Sequence, residues 1–120
     1  MRTALILTGL LVASGTHAQT SAASGEDLFE RYCASCHEVT ASNGQGPSLE
    51  RVVGRQVASV AGFAYSPALR AVGAKGLRWD AAHLDRFLSD PSKLYPGTTM
   101  PQSVSKPENR KAIIAYLKAQ

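Results

Sequence analysis

The stretch "CASCH", residues 33–37, contains both cysteines of this 120-residue chain and one of its three histidines. A disulfide between cysteines three residues apart would close too small a loop to stabilise the fold much. A thioredoxin-like redox pair follows a strand of a βαβ unit, whereas Leu28, Phe29 and Tyr32 precede the motif at helical spacing. A tetrahedral zinc site takes four ligands, and beyond the first 18 residues only His83 could join the motif without a carboxylate. All three alternatives therefore fit the motif poorly.

Covalent haem attachment is the chemistry that a Cys-x-x-Cys-His motif predicts. Cysteines three positions apart on a helix project from the same side, so Cys33 and Cys36 can each form a thioether with one haem vinyl group. His37 then lies where its imidazole can bind the haem iron. The motif thus predicts one covalently bound haem c with His37 as an axial iron ligand.

A second axial ligand is needed if the iron is to carry electrons without binding small molecules. The stretch "YPGTTMP", residues 95–101, offers Met100 in a loop punctuated by proline and glycine. A methionine in a polar turn is poorly explained as core filling, so Met100 is the predicted ligand. His83 is the competing ligand, but it shares a helical stripe with Trp79 and Phe87, and a half-exposed structural position is expected for it.

The N-terminal residues have the pattern of a secretory signal peptide. Arg2 precedes an apolar run from Ala4 to Val12, and small residues lead to Ala18. The run is shorter than the roughly 20 residues of a membrane span, and no cysteine follows it that could carry a lipid. We therefore predict a cleaved signal peptide over 1–18, a single domain over 19–120, no transmembrane anchor in the mature chain and a periplasmic location.

The predicted mature chain is mildly basic. Removal of Arg2 lowers the formal net charge from +4 to +3. The basic residues form no run interleaved with aromatic residues, which is the pattern that nucleic-acid binding favours. Nucleic acid is therefore not expected as a partner.

Capping signals predict where the first helix begins. Ser24 and Asp27 form a capping-box-like pattern for a helix that runs to about His37. The segment 41–76 is rich in Gly, Ser and Ala and predicts mostly ordered loop, with a short turn at 67–71. Such a long loop region is unusual in a compact domain unless it packs on something central, and a haem would serve.

Two more helices are predicted in the C-terminal part of the chain. Asp80 is expected to cap a helix that Pro91 stops. Ser105 and Glu108 predict a capping box for the last helix. The chain is therefore expected to form an all-α domain of three or four helices and ordered loops around one haem.

The predicted mature chain resembles the class I c-type cytochromes of the small soluble mitochondrial and bacterial type. Several motifs in the right order make this resemblance more specific than CASCH alone. They are Gly25 with Phe29 before CASCH, GPSL at 46–49, VGR at 53–55, GFAYS at 62–66, Trp79, PGTTM at 96–100 and AYLK at 115–118. The resemblance implies the all-α class I cytochrome c fold, in which the first and last helices cross near Gly25, Phe29, Ile113 and Tyr116.

The resemblance also implies which residues surround the haem. The backbone carbonyl of Pro47 would accept a hydrogen bond from the His37 ring and fix its tautomer. Arg55, Tyr65 and Trp79 would be donors near the haem propionates. A carboxylate in a low-dielectric site needs such partners, because an unpaired buried charge is costly.

Five positions depart from the pattern of the mitochondrial members. Phe87 replaces a tyrosine whose hydroxyl reaches the methionine sulfur, and Leu69 replaces a nearby asparagine. Thr99, Ser92 and Gln102 stand where lysines and an aromatic residue are common. The basic ring around the haem edge is therefore thin, which implies weak salt dependence of partner binding and a different partner.

The resemblance implies a one-electron carrier and not an enzyme, with both axial ligands retained in both oxidation states. A monomer that meets a redox donor and an acceptor transiently at the haem edge is expected. One alternative is a dedicated electron-accepting subunit of an exported dehydrogenase or oxidase complex. Another is a haem peroxidase or gas sensor whose sixth ligand is labile or missing.

Overall fold

The computed structural model describes residues 21–120, and the predicted signal peptide lies outside this range. Five helices follow one another along the chain: α1 (Gly25–Tyr32), α2 (Pro67–Ala74), α3 (Ala81–Ser89), α4 (Pro91–Leu94) and α5 (Pro107–Lys118). Within the described part of the chain, β-type pairing is limited to one isolated antiparallel bridge between Gln56 and Arg78. The all-α prediction is confirmed, although the number of helices exceeds the predicted three or four.

The predicted capping box at the start of α1 is present. The Ser24 hydroxyl accepts a hydrogen bond from the Asp27 backbone N–H at 3.1 Å. The Asp27 carboxylate accepts one from the Ser24 backbone N–H at 3.1 Å and one from the Ser24 hydroxyl at 2.8 Å. These hydrogen bonds hold the pKa of the Asp27 carboxyl below its usual value, so the ionised side chain stabilises the helix start.

α1 ends earlier than predicted, at Tyr32 instead of near His37. The Ala34 N–H bonds to the Phe29 carbonyl, five residues back, at 3.1 Å. Hydrogen bonds of this span close the end of a helix, and the chain continues through residues 33–36 as turns. The two cysteines therefore lie in a helical turn beyond α1 and not within the regular helix.

α1 and α5 cross in close contact, as the resemblance implied. A Cβ on Gly25 would lie 2.9 Å from the Tyr116 Cβ and would overlap the Ala112 carbonyl oxygen. Phe29 packs on Tyr116 with ring centroids 5.3 Å apart, and Ile113 is fully buried. Only glycine lets the two helices approach this closely at the crossing point.

The start of α5 differs from the prediction of a capping box at Ser105 and Glu108. The N-cap residue is Lys106, which makes no side-chain capping hydrogen bond, and Pro107 is the first helical residue. Proline is favoured there because its fixed φ suits the helix and its missing N–H would have had no intrahelical partner. The predicted capping box is therefore wrong, while the helix itself is confirmed.

Arg110 anchors α5 to α3 and to the segment that leads into α5. Its side chain is 10% exposed and its Nε donates to the Asp85 carboxylate at 2.8 Å. Its Nη1 donates to the carbonyls of Val104 and Ser105 at 3.0 and 2.9 Å. One buried guanidinium thus satisfies backbone carbonyls that precede the helix.

The segment 41–76 is mostly loop, as predicted, but α2 covers Pro67–Ala74 and is longer than the predicted turn at 67–71. Ser66 caps it by accepting from the Leu69 N–H at 3.2 Å. Gly73 allows α2 to lie against Val57, because any Cβ at position 73 would overlap the Val57 carbonyl oxygen. α2 therefore packs directly on the loop that precedes it.

α3 follows its predicted boundaries. Asp80 caps it by accepting from the His83 N–H at 2.7 Å, and the helix ends at Ser89 before Pro91 begins α4. The buried apolar residues of α1, α2, α3 and α5 and of the loops form one core: Leu28, Phe29, Cys33, Val52, Val57, Val72, Trp79, Leu84, Phe87, Leu88, Val104, Ile113, Ile114 and Leu117.

Candidate functional site

The two cysteines of the CASCH turn, Cys33 and Cys36, form no disulfide with each other. Cys33 is buried, and burial raises the pKa of its thiol to about 11. A reactive redox pair requires a thiolate, which neighbouring positive charge or a helix N-terminus favours and apolar burial opposes. The Cys33 environment is therefore unsuited to disulfide exchange. Among residues 21–120, no group of three or more His, Cys, Asp or Glu side chains is arranged to hold a metal ion.

The His37 ring is held by the carbonyl that the sequence resemblance implied. His37 Nδ1 lies 2.8 Å from the Pro47 carbonyl oxygen. A carbonyl oxygen can only accept, so Nδ1 carries the proton and Nε2 keeps its lone pair. Desolvation is the main reason that the pKa of His37 lies below its usual value, and the positive charge of Arg55 lowers it further. The ring is therefore neutral, with Nε2 in the form that binds a metal.

Gly46 is a site residue whose role the sequence reasoning missed. A Cβ at this position would lie 2.6 Å from His37 Nδ1 and 2.7 Å from Nε2, so the ring packs flat against the glycine backbone. The Gly46 N–H also donates to the Cys36 carbonyl at 2.7 Å. The GPSL motif thus combines a glycine that leaves space for the ring with a proline carbonyl that orients it.

The loop that carries Gly46 and Pro47 is fixed beside the CASCH turn by further hydrogen bonds. Leu49 N–H donates to the Glu38 carbonyl at 2.8 Å. Ser48 N–H donates to the Asn43 side chain at 2.9 Å, and the Ser48 hydroxyl donates to the Thr40 carbonyl. These hydrogen bonds hold the loop in the position that brings the Pro47 carbonyl to the His37 imidazole.

Arg55 and Trp79 lie on paired backbone segments. The Trp79 N–H donates to the Arg55 carbonyl at 2.8 Å, and the Gly54 N–H donates to the Trp79 carbonyl at 2.7 Å. The Arg55 guanidinium donates to the carbonyls of Ser48 and Glu50 at 2.9 and 2.7 Å. Burial lowers the pKa of Arg55, and the nearby Tyr65 hydroxyl opposes this shift. Two of the three residues predicted to face the propionates, Arg55 and Trp79, are therefore held side by side by the backbone.

Tyr65 and Trp79 are packed in different ways. The Tyr65 hydroxyl accepts from the Val60 N–H at 3.1 Å, and its ring meets Phe63 edge-on at 4.9 Å. Trp79 is buried and packs on Phe87 with ring centroids 4.9 Å apart.

Met100 lies on the loop after α4, half-buried against the hydrophobic core. The Thr98 N–H donates to the Tyr95 carbonyl at 3.0 Å, and Gly97 adopts the left-handed conformation (φ +89°) that this turn needs. The turn fixes the chain two residues before Met100.

Two buried side-chain polar atoms in the described part of the chain have no hydrogen-bond partner: Arg55 Nε and Thr98 Oγ1. Such groups are rare because each costs desolvation energy without compensation. One belongs to the Arg55, Tyr65 and Trp79 group, and the other lies in the Met100 loop. A bound anionic group such as a haem propionate would satisfy donors of this kind, so the residues present fit the predicted cofactor. Sequence analysis did not single out Thr98.

His83 differs from its prediction. It is 3% exposed, not half-exposed. Its Nδ1 lies 2.8 Å from the Arg78 carbonyl oxygen and its Nε2 lies 2.6 Å from the Tyr95 hydroxyl. Since both ring nitrogens bond to protein atoms, His83 is not available as an iron ligand in this conformation.

This fold and this site define a class of protein, the small helical proteins that bind haem c covalently. Residues 20–117 match the family profile described as cytochrome C oxidase, cbb3-type, subunit III. A cytochrome c2 from Rhodomicrobium vannielii is 35% identical over a 123-residue alignment that covers 100% of this chain and 95% of the relative. The chain belongs to the cytochrome c family.

Further relatives and solved structures agree with this membership. A cytochrome c from Nigella damascena is 40% identical over 99 residues, which cover 80% of this chain and 86% of the relative. The structure of cytochrome cH from Methylobacterium extorquens superposes with a TM-score of 0.72 at 42% identity, covering 80% of this chain and 95% of that one. The structure of ferricytochrome c2 from Rhodopseudomonas palustris also gives a TM-score of 0.72, at 33% identity, covering 79% of this chain and 94% of that one.

The protein therefore carries one covalently bound haem c and transfers electrons one at a time, as the sequence predicted. None of the described helices is long and apolar enough to cross a membrane.

Proposed function

We propose that the protein carries single electrons between redox partners in the periplasm, through a haem c held by Cys33 and Cys36 and ligated axially by His37 and Met100. The haem supplies one iron centre that alternates between ferric and ferrous states. The observation that carries the proposal is the 2.8 Å contact between His37 Nδ1 and the Pro47 carbonyl. That contact is what a metal-ligating histidine requires, because it fixes the tautomer and leaves Nε2 free to bind.

The chain's own residues would hold the cofactor in one orientation. Cys33 and Cys36 follow α1 directly, and the α1–α5 crossing fixes that helix in the core. The propionates would be bound by Arg55, Tyr65 and Trp79, and the unpaired Arg55 Nε supports this assignment. Preorganised donors of this kind lose little free energy when the iron charge changes, because they do not reorganise.

An electron carrier is favoured over an enzyme by the placement of Met100. The turn at Tyr95 to Thr98 leads to Met100, which packs against the core, and this supports Met100 as the side chain that would fill the second axial position. Iron with both axial positions filled offers no coordination site to a substrate. The peroxidase and gas-sensor alternatives require that position to be open.

Partner contact would be small and transient, at a surface with few charges. Ser35, Gln45, Thr99 and Gln102 are exposed and uncharged residues that flank the CASCH turn, the Pro47 loop and Met100. Neutral rims give little electrostatic steering, so association would depend only weakly on ionic strength. We expect a monomer that exchanges between a donor and an acceptor.

A second candidate function is an electron-accepting subunit of an exported oxidase or dehydrogenase complex. The family profile that matches residues 20–117 is named for a subunit of an oxidase. The alignment with the cytochrome c2 relative spans 95% of that protein, which is named as a cytochrome and not as a subunit of a complex, and this favours the free carrier. Purification from the native host at low salt separates the two, because a subunit would co-elute with a larger redox protein and a carrier would elute alone.

The optical spectrum of exported protein tests the axial ligation. We expect a low-spin spectrum with the weak near-infrared band of methionine sulfur bound to ferric haem. Met100→Ala should abolish the band and leave the covalent haem in place. The matched change Leu94→Ala, at the end of α4, should retain the band. A high-spin or bis-histidine spectrum in the wild-type protein would overturn the proposed ligation.

A further inference from the structure

His83 and Tyr95 form a hydrogen-bonded pair between α3 and the loop that carries Met100. His83 Nε2 lies 2.6 Å from the Tyr95 hydroxyl, and the two rings meet edge-on with centroids 5.8 Å apart. His83 is itself buried, and Trp79 packs on it with ring centroids 4.4 Å apart. The pair is therefore an ordered contact within the protein and not a chance meeting of surface side chains.

The direction of each hydrogen bond follows from the atoms involved. The Arg78 carbonyl, 2.8 Å from His83 Nδ1, can only accept, so Nδ1 carries the ring proton. With the ring proton on Nδ1, Nε2 accepts and the Tyr95 hydroxyl donates to it. Burial raises the pKa of the Tyr95 phenol, which keeps the donor protonated.

The pair fixes the residue from which the Met100 loop starts. The Tyr95 N–H donates to the Pro91 carbonyl at 2.9 Å, and the Tyr95 carbonyl accepts from the Thr98 N–H at 3.0 Å. Tyr95 is thus held by its backbone in α4 and in the turn, and by its side chain to α3. Met100 follows this turn by two residues.

Within residues 21–120, the His83–Tyr95 bond is the one side-chain hydrogen bond that joins α3 to the segment 95–101. The contact of Phe87 with Tyr95 is a ring contact with centroids 6.1 Å apart. Ring contacts of this kind tolerate sliding, whereas a hydrogen bond between two fixed groups is directional. The His83–Tyr95 bond is therefore the directional side-chain contact between α3 and this segment.

We propose that His83 and Tyr95 are positioning residues for Met100, and that their hydrogen bond limits how often the Met100 loop opens away from the haem. This inference rests on the proposed function, because it takes Met100 as the axial ligand. Opening of the loop would expose the iron to external ligands, so the pair protects the electron carrier from acting as a ligand-binding protein.

Tyr95→Phe is the variant that tests the proposal, because it removes the hydroxyl and keeps the ring packing. The matched control is Tyr116→Phe, the same chemical change at the α1–α5 crossing. External imidazole is added to the ferric haem protein, and the loss of the near-infrared methionine band reports loop opening. Loss of the partly buried His83–Tyr95 hydrogen bond should raise the apparent imidazole affinity of Tyr95→Phe by about tenfold, while Tyr116→Phe stays within about twofold of wild type.

A merely structural role would lower global stability without favouring opening of the loop. Denaturant unfolding of both variants is therefore measured beside imidazole binding. The proposal holds if the imidazole affinity rises in Tyr95→Phe by more than its loss of global stability, compared with that of Tyr116→Phe, accounts for. It is overturned if the loss of global stability accounts for the whole rise. It is overturned if Tyr95→Phe binds imidazole like wild type.

Nuclear magnetic resonance of the wild-type haem protein separates failure of this inference from failure of the proposed function. If the wild-type protein lacks the methionine band, the proposed ligation is wrong. Exchange of the Thr98 amide hydrogen then tests separately whether the His83–Tyr95 hydrogen bond holds the loop. That exchange should be about tenfold faster in Tyr95→Phe than in wild type or Tyr116→Phe. A His83 ring protonated at Nε2 instead of Nδ1, or equal exchange in all three proteins, overturns the inference.

Discussion

Gly46 and His37 pack so closely that a Cβ on Gly46 would lie 2.6 Å from the imidazole Nδ1. The Pro47 carbonyl also holds the imidazole ring through Nδ1, so the ring has little freedom to move away from Gly46. An added methyl group must therefore push the ring or break the Pro47 contact.

Gly46→Ala is predicted to destabilise the folded haem protein by about 1–3 kcal/mol and to change its spectrum. The spectral change is expected because the displaced ring alters the iron–histidine bond. Denaturant unfolding and the optical and paramagnetic resonance spectra measure the two effects. Gly76→Ala is the control: it has positive φ (+76°) and open space, so it should cost about 1–2 kcal/mol without any spectral change. Equal spectra in the two variants would contradict this assignment.

Gly25→Ala is predicted to lower stability by about 1–3 kcal/mol without affecting the haem spectrum. Alanine is the better helix former, so any loss reports crowding against Ala112 and Tyr116 at the crossing. Urea unfolding followed by far-ultraviolet circular dichroism measures the loss. The prediction is contradicted if Gly25→Ala unfolds at the same urea concentration as the wild-type protein, because crowding against the Ala112 carbonyl and the Tyr116 Cβ would then cost nothing.

Arg55→Gln is predicted to lower the reduction potential by up to about 60 mV, which is a tenfold change for one electron. A positive charge near the haem disfavours the more positive ferric state, so its removal favours the ferric state. The matched control is Arg51→Gln, the same change of charge at an exposed position in the neighbouring turn. Spectroelectrochemical titration should show a smaller shift of the reduction potential for Arg51→Gln than for Arg55→Gln. Equal shifts would mean that Arg55 acts on the haem no more strongly than an exposed arginine does.

Asp27→Asn is predicted to lower stability at neutral pH and to have almost no effect in acid. The Ser24 hydrogen bonds lower the pKa of Asp27 in the folded state, so the stabilisation is complete above the unfolded value of 3.8. It is lost as the pH falls through the folded-state pKa, because the carboxyl group then becomes protonated. Unfolding curves at pH 7 and near pH 2 measure this difference. Glu26→Gln, an exposed acid in the same turn, should show no comparable pH-dependent loss.

Much of the site could be predicted from sequence because its chemistry depends on short, fixed spacings. The CASCH motif singles out Cys33, Cys36 and His37 by their spacing alone, and the two cysteines lie in a turn beyond α1 that His37 follows. The carbonyl of Pro47 was expected from the resemblance, and its contact with His37 is present at 2.8 Å. The ligand roles of these residues and of Met100 stay predictions.

The features that were missed depend on contacts between distant parts of the chain. Gly46 matters because a ring nine positions earlier lies against it, and no local pattern encodes that contact. His83 was expected to be half-exposed, but Tyr95 and the Arg78 carbonyl satisfy both of its nitrogens and allow its complete burial. The Ser105 capping box failed because proline at position 107 already begins the helix. In each case tertiary packing or a stronger local signal decided the outcome.

The contact between α1 and α5 has a kinetic consequence. It joins position 25 to position 116, so almost the whole described chain forms a single loop closed by two helices. Contacts this distant in sequence are entropically expensive to form and make folding slow relative to helix formation. The docking of α5 on α1 is therefore the step that completes the native topology. Since the chain is synthesised from its N-terminus, it cannot reach that topology until α5 has been made.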